Sequence, residues 1–459
     1  MIGVAAPEQF AALPLWPEPI RTADSLASAG RCRRMSGAQF VVRAYDRLRS
    51  GDAAGAEQLL RDGLVRSPRS IEGWCSLSDT LTRRHAYEEA LAATARALEA
   101  EPGDPRALIA RARTLRSTGR PDDALRAFTE ALSGRALPEP LRAYGLMELG
   151  RTLDELGRTD EAWAAITEGQ ELRRGMTAAG QAHWLSDRLT AMQSWLDVRV
   201  PTPAVPWDDL RPRPIFVVGV PGSGATLVEQ ILIAAGAQST AERPVLSRAV
   251  ADVVESDAAV AYPDGLHEWP ESVVHAVRER FFARVDMPRD VPVLHKLPLD
   301  LLHLGLVHRV FEGAPVVQAL RDPRDTLISG YFQNLVLDPA MNDWTEPRQL
   351  ALATCSLLQL GRRYGEELEG LVLRVQRYDR LTDDPDREPV DLVEHCGLPF
   401  TSEVSRLHEG ARTSTTPSSH AVIEPVHRRA RSGGWRRYER QLAVVLPLLE
   451  PIGAELGFG

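Results

Sequence analysis

A repeat of 34 residues constrains the N-terminal half of this 459-residue chain more than any other feature. Aligned on itself at that spacing, the sequence superposes Ala56, Ala90 and Ala124 at one position, and Gly51, His85 and Gly119 at another. A fourth unit follows after a four-residue insertion, with Ala162 and Gly157 in the equivalent places. Because one such unit cannot bury its own apolar face, three or more units must stack, and the sequence predicts a helical solenoid.

Each repeat unit offers two amphipathic helices, with small alanines where the helices cross closely. The pattern resembles tetratricopeptide repeats (TPRs), which bind peptides or pack against a partner domain; a plain helical bundle is the alternative. We therefore predict an N-terminal arm over residues 1–35, an all-α TPR solenoid over 36–197, a proline-rich linker over 198–212 and a second domain over 213–459.

Composition limits the kinds of partner and compartment. The net charge of −9 argues against a nucleic-acid binder that relies on bulk electrostatics, and no apolar run approaches the roughly 20 residues that span a bilayer. The four cysteines lie far apart and form no CxxC pair. We expect a cytoplasmic protein with reduced thiols that binds neither nucleic acid nor membrane.

The segment IFVVGVPGSGATLVEQ predicts a buried strand, a glycine-rich turn and a helix, an arrangement that points backbone N–H groups at a bound phosphate. Against the triphosphatase pattern GxxxxGK(S/T), Gly219, Gly224 and Thr226 match, but Ala225 replaces the lysine. ATP or GTP hydrolysis is therefore disfavoured, and a P-loop kinase is the least favoured function.

From about residue 213 to 440 the chain resembles sulfotransferases, particularly tyrosylprotein sulfotransferases and bacterial proteins that join repeats to this domain. The resemblance implies an α/β P-loop-like domain with a central parallel sheet, which uses 3′-phosphoadenosine 5′-phosphosulfate (PAPS) as donor, releases PAP and needs no metal. It implies that the donor is bound by the loop residues Pro221, Gly222, Ser223, Gly224, Ala225 and Thr226. The family usually has a basic residue at the position of Gly222, so this loop lacks its own cation.

Three further motifs carry the resemblance. In VVQALRDPRDTLISGYFQN, Arg321 and Ser329 take the places that hold the 3′-phosphate of PAPS, whereas Arg324 is also open to pairing with Asp322 or Asp325. The C-terminal segment SGGWRRYER resembles the glycine-containing cofactor lid. The resemblance completes the cofactor-binding set with Tyr378, Gly434, Trp435 and Arg436, and it gives Ser418 the place of the serine that approaches the phosphosulfate.

Lys296 is the single lysine among 54 basic residues. It lies in HKLPLDLLHLGLVHRVF, which resembles the lysine-containing segment of the family. A surviving lysine in an arginine-rich chain indicates a position where the two are not interchangeable. We predict that Lys296 neutralises the charge developing on the leaving oxygen, and that Gly222→Arg would restore part of its loss.

Sulfuryl transfer to a hydroxyl needs a general base, and the resemblance to the tyrosylprotein branch gives that role to Glu242. The sequence leaves two alternatives open. Ser239 to Glu242 also matches a capping box, S-x-x-E, that would open the next helix. The base could also be a histidine: His295, His303 or His308.

Together these features predict a metal-independent, PAPS-dependent sulfotransferase that acts on a hydroxyl of a peptide tyrosine, a glycan or a small molecule. The solenoid could present a peptide or protein acceptor, and the resemblance allows a homodimer. The competing hypothesis is a catalytically impaired TPR scaffold that binds PAP. We also expect a fragment from about residue 205 onward to keep PAP binding.

Overall fold

The computed structural model describes residues 37–49, 52–134, 137–176, 184–198, 202–209, 211–257, 260–285, 287–334, 339–405 and 433–459. Its N-terminal part is a stack of four helix pairs, each packed most closely within itself and then on the next pair. The helices are α1 Gly37–Arg49, α2 Ala53–Arg66, α3 Ile71–Arg83, α4 Tyr87–Ala100, α5 Pro105–Ser117, α6 Pro121–Ser133, α7 Glu139–Glu155 and α8 Thr159–Gly175.

The repeat positions found in the sequence have matching structural roles. The four equivalent alanines, Ala56, Ala90, Ala124 and Ala162, are each 0% exposed. The turn between the two helices of a pair has a left-handed residue at His85, Gly119 and Gly157, with φ of 60°, 73° and 74°. Alanine therefore fits the close helix crossing, and glycine is favoured at the turn.

The C-terminal part contains a five-stranded, wholly parallel sheet with strand order β2-β3-β1-β4-β5. The strands are β1 Ile215–Gly219, β2 Gln238–Ser239, β3 Val293–Lys296, β4 Val316–Leu320 and β5 Leu373–Arg377. Side chains alternate between two apolar cores, so that Phe216 and Val218 of β1 lie in one core and Ile215 and Val217 lie in the other.

Helices cover both faces of this sheet. They are α9 Trp184–Asp197, α10 Ala225–Ala234, α11 Val245–Ser256, α12 Glu271–Val285, α13 Leu304–Val310, α14 Pro323–Tyr331, α15 Pro347–Glu367, α16 Tyr378–Asp383, α17 Glu388–His395, α18 Ser402–Ser405, α19 Glu439–Leu442 and α20 Leu446–Glu455. Short 3₁₀ helices span Leu266–Glu268, Pro298–His303, Pro339–Thr345 and Gly434–Tyr438. In the described part of the chain, every helix is too short or too polar to cross a membrane.

The last repeat pair shares a core with the sheet domain. The Trp163 ring on α8 lies 5.1 Å from the Tyr331 ring at the end of α14 and 6.0 Å from the Tyr438 ring, measured between centroids. Gln170 Nε2 donates to the Tyr331 carbonyl oxygen at 2.6 Å, and the Tyr438 hydroxyl donates to Asp154 at 2.6 Å. The array therefore supports both α14 and the C-terminal turn.

The proline-rich segment also packs on the sheet domain. The Val205 N–H donates to the Arg309 carbonyl oxygen at 3.1 Å, and the Arg278 guanidinium donates to the carbonyl oxygens of Val205 and Pro206 at 2.6 and 2.9 Å. A fragment from residue 205 onward would keep these contacts but would expose the side of α14 that the array covers. That such a fragment keeps PAP binding stays a prediction.

Trp163→Ala is expected to lower the free energy of unfolding by about 3 kcal/mol, because a large aromatic side chain loses its packing across the interface. Chemical denaturation of the full chain measures this change. Trp163→Phe keeps an aromatic ring and serves as the control, with a smaller expected loss. An unchanged denaturation midpoint for Trp163→Ala would mean that the interface contributes nothing to stability.

Candidate active site

The candidate site residues gather where the strands end. In a parallel sheet all carboxyl ends lie at one edge, and ligands bind in the crevice outside it. Four strands are followed by candidate residues: β1 by the loop 220–224, β2 by Glu242, β4 by Arg321 and β5 by Tyr378. In β3 the candidate, Lys296, is the last residue of the strand.

The loop after β1 has two glycines at which any side chain would be strained. Gly222 and Gly224 have φ of 100° and 96°, in the left-handed region. A Cβ on Gly222 would lie 2.8 Å from the Thr326 carbonyl oxygen and 2.9 Å from the Gly330 nitrogen, both backbone atoms of α14. A Cβ on Gly224 would overlap the Tyr378 ring. The absence of a cation at position 222 is therefore enforced by α14.

The same loop contains a buried hydroxyl without a partner next to a helix N-terminus. Ser223 is 2% exposed, and its Oγ has no hydrogen-bond partner among the residues that the structure describes. Gly224 precedes the first residue of α10, which has no side-chain cap. Ala225, at the triphosphatase lysine position, is buried as the first residue of α10. The geometry suits an anion bound by a hydroxyl and backbone donors.

Lys296 lies 1% exposed beside this loop. Its Nζ is 3.5 Å from Thr226 Oγ1, bonds to Glu242 Oε1 and lies 3.5 Å from Glu229 Oε2. Burial acts to lower the pKa of Lys296, but the carboxylates of Glu242 and Glu229 outweigh it, and the pKa is raised. The ammonium is therefore held charged between two carboxylates.

Glu242 lies in a strained turn, not in a capping box. Ala241 and Glu242 have φ of 53° and 59°, an uncommon conformation for residues with a Cβ, and α11 begins only at Val245. The Ser239 Oγ accepts a hydrogen bond from the Ala241 N–H at 3.0 Å. The capping-box alternative is therefore wrong: the strained backbone aims the Glu242 carboxylate at Lys296.

A buried polar chain holds this turn. The Thr240 N–H donates to the Leu294 carbonyl oxygen at 2.9 Å, and Thr240 Oγ1 lies 3.0 Å from His295 Nδ1. His295 Nε2 lies 2.7 Å from Asp300 Oδ2, and Arg243 Nε donates to the Thr240 carbonyl oxygen at 3.2 Å. Both ring nitrogens of His295 are thus engaged, which fits a support for the turn better than a base.

The other two histidines named as alternative bases are also engaged by neighbouring groups; His308 is buried and His303 is half-buried. His303 Nδ1 lies 2.5 Å from the Tyr262 hydroxyl, and burial lowers the pKa of His303. Burial likewise lowers the pKa of His308, against the opposing effect of a backbone hydrogen bond at Thr202. Both belong to the packing around α13 and the 3₁₀ helix before it.

Arg321 and Ser329 flank the loop from the other side. The Arg321 guanidinium lies 4.8 Å from the centroid of the Tyr378 ring, and its buried Nε has no hydrogen-bond partner within the described residues. Ser329 lies on the face of α14 that packs against the loop, 3.2 Å from where a Cβ on Gly222 would be. The structure thus brings together Arg321, Ser329 and Tyr378 beside Gly222.

Arg324 is engaged in a local network, as its alternative interpretation predicted. It donates to Asp322 at 2.9 and 2.7 Å and lies 4.5 Å from the Trp435 ring centroid. Asp325, one residue further, accepts hydrogen bonds from the N–H groups of Gly433 and Trp435 at 2.7 and 2.8 Å. The turn that holds Gly434 and Trp435 is therefore attached to the N-terminal end of α14.

The structure describes only part of the predicted C-terminal site. Ser418, to which the resemblance gives a place near the phosphosulfate, lies outside the described residues. The Arg436 guanidinium lies 4.9 Å from the Trp435 ring centroid. Within the described ranges, no group of three or more His, Cys, Asp or Glu side chains comes together as a metal site.

Sequence reasoning missed Glu229 and Asp325. Glu229 is the single charged residue in the mainly apolar helix segment TLVEQILI and is 3% exposed. A charge in such a segment is a signal of a specific role. Asp325 was named only as a partner for Arg324. Its actual partners lie more than 100 residues away in the chain, so no local pattern could have identified them.

Fold and site define an α/β domain with a phosphate-loop-like site, supported by helical repeats. Residues 214–402 match the model of the sulfotransferase family, and residues 41–105 and 109–176 match tetratricopeptide repeats. The chain therefore carries a sulfotransferase-family domain preceded by tetratricopeptide repeats, which supports a transferase function.

The individual proteins that this chain resembles have low sequence identity to it. A protein of Aquifex aeolicus (strain VF5), described as uncharacterized, is 27% identical over 253 residues, which are 52% of this chain and 32% of that protein. The chain thus spans about a third of that relative's length. A MamA structure (MSR-1) is 20% identical over 30% of this chain and 77% of its own, with a TM-score of 0.24. An O-GlcNAc transferase mutant of Thermobaculum terrenum is 14% identical over 69% of this chain and 50% of its own, with a TM-score of 0.29. Both scores are too low to indicate a common overall fold.

Proposed function

We propose that the protein is a PAPS-dependent sulfotransferase that acts on a hydroxyl acceptor without a metal. The observation that carries this proposal is the contact of Lys296 with Glu242 beside Thr226 of the glycine-rich loop. A base and a cation at the carboxyl edge of the sheet, next to a loop without the triphosphatase lysine, are the groups that sulfuryl transfer needs.

The residues of the candidate site are chemically suited to bind PAPS. The unpartnered Ser223 Oγ and Arg321 Nε are buried polar atoms that need hydrogen-bond partners, and phosphosulfate and 3′-phosphate oxygens would provide them. Residues 221–226 would hold the 5′-phosphosulfate, and the resemblance assigns Ser418 to the same group. Arg321, Ser329 and Tyr378 would hold the 3′-phosphate end, covered by Gly434, Trp435 and Arg436.

When bound, PAPS supplies the sulfuryl group, whose bond to the 5′-phosphate oxygen breaks as the acceptor oxygen bonds to sulfur. Glu242 takes the acceptor's hydroxyl proton, for which its 27% exposed side chain is accessible. Lys296 stabilises the negative charge left on the phosphate oxygen. The products are PAP and the sulfated acceptor, with the proton held on Glu242 until it is released to solvent.

The acceptor is a hydroxyl of a peptide tyrosine, a glycan or a small molecule, and the repeat array is the surface that would present a peptide or protein acceptor. The direct test is transfer of labelled sulfate from PAPS to tyrosine peptides and glycans, together with thermal-shift titrations. We expect PAP, and not ATP with magnesium, to raise the unfolding midpoint. Stabilisation by PAP without transfer to any acceptor would favour the impaired scaffold, and selective stabilisation by ATP would favour a kinase.

Arg321→Ala is expected to weaken PAP binding by roughly 2 to 4 kcal/mol, because the phosphate loses a charged hydrogen-bond partner. Ser329→Ala should cost less. Isothermal titration calorimetry measures both affinities, and Arg374→Ala, which removes an arginine of β5 that pairs with Glu388, is the control. An unchanged affinity for Arg321→Ala would contradict the assignment of the 3′-phosphate site.

A further inference from the structure

Glu229 is a buried carboxylate without a role in the proposed reaction. It lies on α10, between Val228 and Gln230, and its side chain is 4% exposed. Burying a carboxylate is costly unless it is paired or hydrogen-bonded. Its position therefore calls for an explanation beyond helix packing.

Glu229 connects the strained turn with the cation. Its Oε1 accepts a hydrogen bond from the Ser239 Oγ at 2.5 Å, and its Oε2 lies 3.5 Å from Lys296 Nζ. The Ser239 Oγ in turn accepts from the Ala241 N–H, next to Glu242. Because Glu242 also bonds to Lys296, these contacts close a ring around the ammonium.

The two carboxylates of this ring differ in access. The Glu242 side chain is 27% exposed, whereas the Glu229 side chain is 4% exposed. An acceptor hydroxyl can therefore reach Glu242 but not Glu229. Once Glu242 has taken up a proton it is neutral, and Lys296 would be a buried ammonium without a counter-ion if Glu229 were absent.

We propose that Glu229 is a positioning residue that keeps Lys296 charged and in place while Glu242 carries the acceptor's proton. The inference deepens the proposed sulfotransferase function and rests on it for the catalytic consequence. The ring itself, and the ion pair between Glu229 and Lys296, stand on geometry alone. Glu229 differs from a packing residue in that its charge, and not only its shape, is required.

The first test uses the single lysine of the chain. Full-length protein labelled with ¹⁵N and ¹³C lysine gives one side-chain ammonium signal, so the Lys296 pKa can be followed directly by NMR. Among the described residues, the titratable groups that face Lys296 are Glu229 from α10 and Glu242 from the turn before α11. Both raise its pKa, so Glu229→Gln should lower the pKa of Lys296. If the pKa of Lys296 is the same in Glu229→Gln and in wild type, the inference is wrong, whether or not the protein transfers sulfate.

The second test measures turnover. Glu229→Gln keeps the shape and the acceptor for Ser239 but removes the charge, and we expect kcat to fall by roughly 10²-fold through misplacement of the cation. PAP affinity should stay within about threefold, because the interaction acts chiefly in the transition state. Since the active form has the ammonium, activity is lost as pH rises through the Lys296 pKa, and the basic limb of the kcat profile should move to lower pH in the variant.

Controls separate this role from a structural one. Glu255→Gln on exposed α11 surface should change neither kcat nor the pH profile. Glu229→Asp keeps the charge and should leave the basic limb closer to the wild-type position than Glu229→Gln does. If Glu229→Gln lowers kcat but leaves the basic limb of the kcat profile at the wild-type pH, Glu229 acts only through packing. If the wild-type protein transfers no sulfate but Glu229→Gln still lowers the pKa of Lys296, the proposed function is contradicted and the ion pair is confirmed.

Discussion

Replacing Lys296 with methionine is expected to abolish sulfate transfer and to lower the free energy of unfolding by about 3 to 5 kcal/mol, because two neighbouring carboxylates lose their common counter-ion. Lys296 is 1% exposed and lies against both Glu229 and Glu242. Denaturation curves and transfer assays on the full chain measure the two effects. Stability should recover in part at low pH, where the carboxylates become protonated.

Lys296→Arg tests whether position as well as charge matters. A guanidinium is broad and planar and cannot take the place of a compact ammonium held between two carboxylates and a threonine hydroxyl. We expect it to retain most of the stability and to lose at least about 10²-fold in kcat, comparable to the loss of one preorganised donor. Turnover at the wild-type rate would mean that Lys296 does not stabilise the leaving group.

Gly222→Arg is expected to eliminate PAP binding, and this corrects the expectation from sequence that it would restore a missing cation. Any Cβ at this position meets the α14 backbone, which cannot move without displacing Ser329. Even Gly222→Ala should cost about 1 to 3 kcal/mol for the left-handed backbone. Overlap with α14 should add a similar amount, about 1 to 3 kcal/mol.

Gly236 offers a matched control for this prediction. It has a φ of 102°, close to that of Gly222, but a Cβ built on it meets nothing within 4 Å. Gly236→Ala should therefore show the backbone cost alone and keep wild-type PAP affinity. Equal effects of the two alanine substitutions on stability and on PAP affinity would show that the contact between the loop and α14 is not what excludes a side chain at position 222.

Local patterns were sufficient to predict much of the architecture. The 34-residue spacing identified the repeat, and its alanines are fully buried at the helix crossings. The strand-turn-helix after residue 214 and its glycines were also evident, because turn geometry and helix periodicity depend on residues that are neighbours in the chain. Lys296 and Glu242 were both named from the sequence, but their contact with each other was not foreseen.

Only the tertiary structure determined which residues Lys296 and Glu242 contact. The sheet order places Lys296 beside α10 and the turn after β2, and this makes Glu229 and Glu242 its partners. The S-x-x-E sequence, which by local rules is a helix cap, became a strained turn because Ser239 and Thr240 bond to residues outside the motif.

Packing of α14 against the loop similarly decided that position 222 holds no cation. Charge pairing and steric exclusion act between atoms that folding brings together from distant parts of the chain. Local sequence therefore determined which elements form and which chemical groups are available to the site. Only the packed sheet determined which of those groups meet.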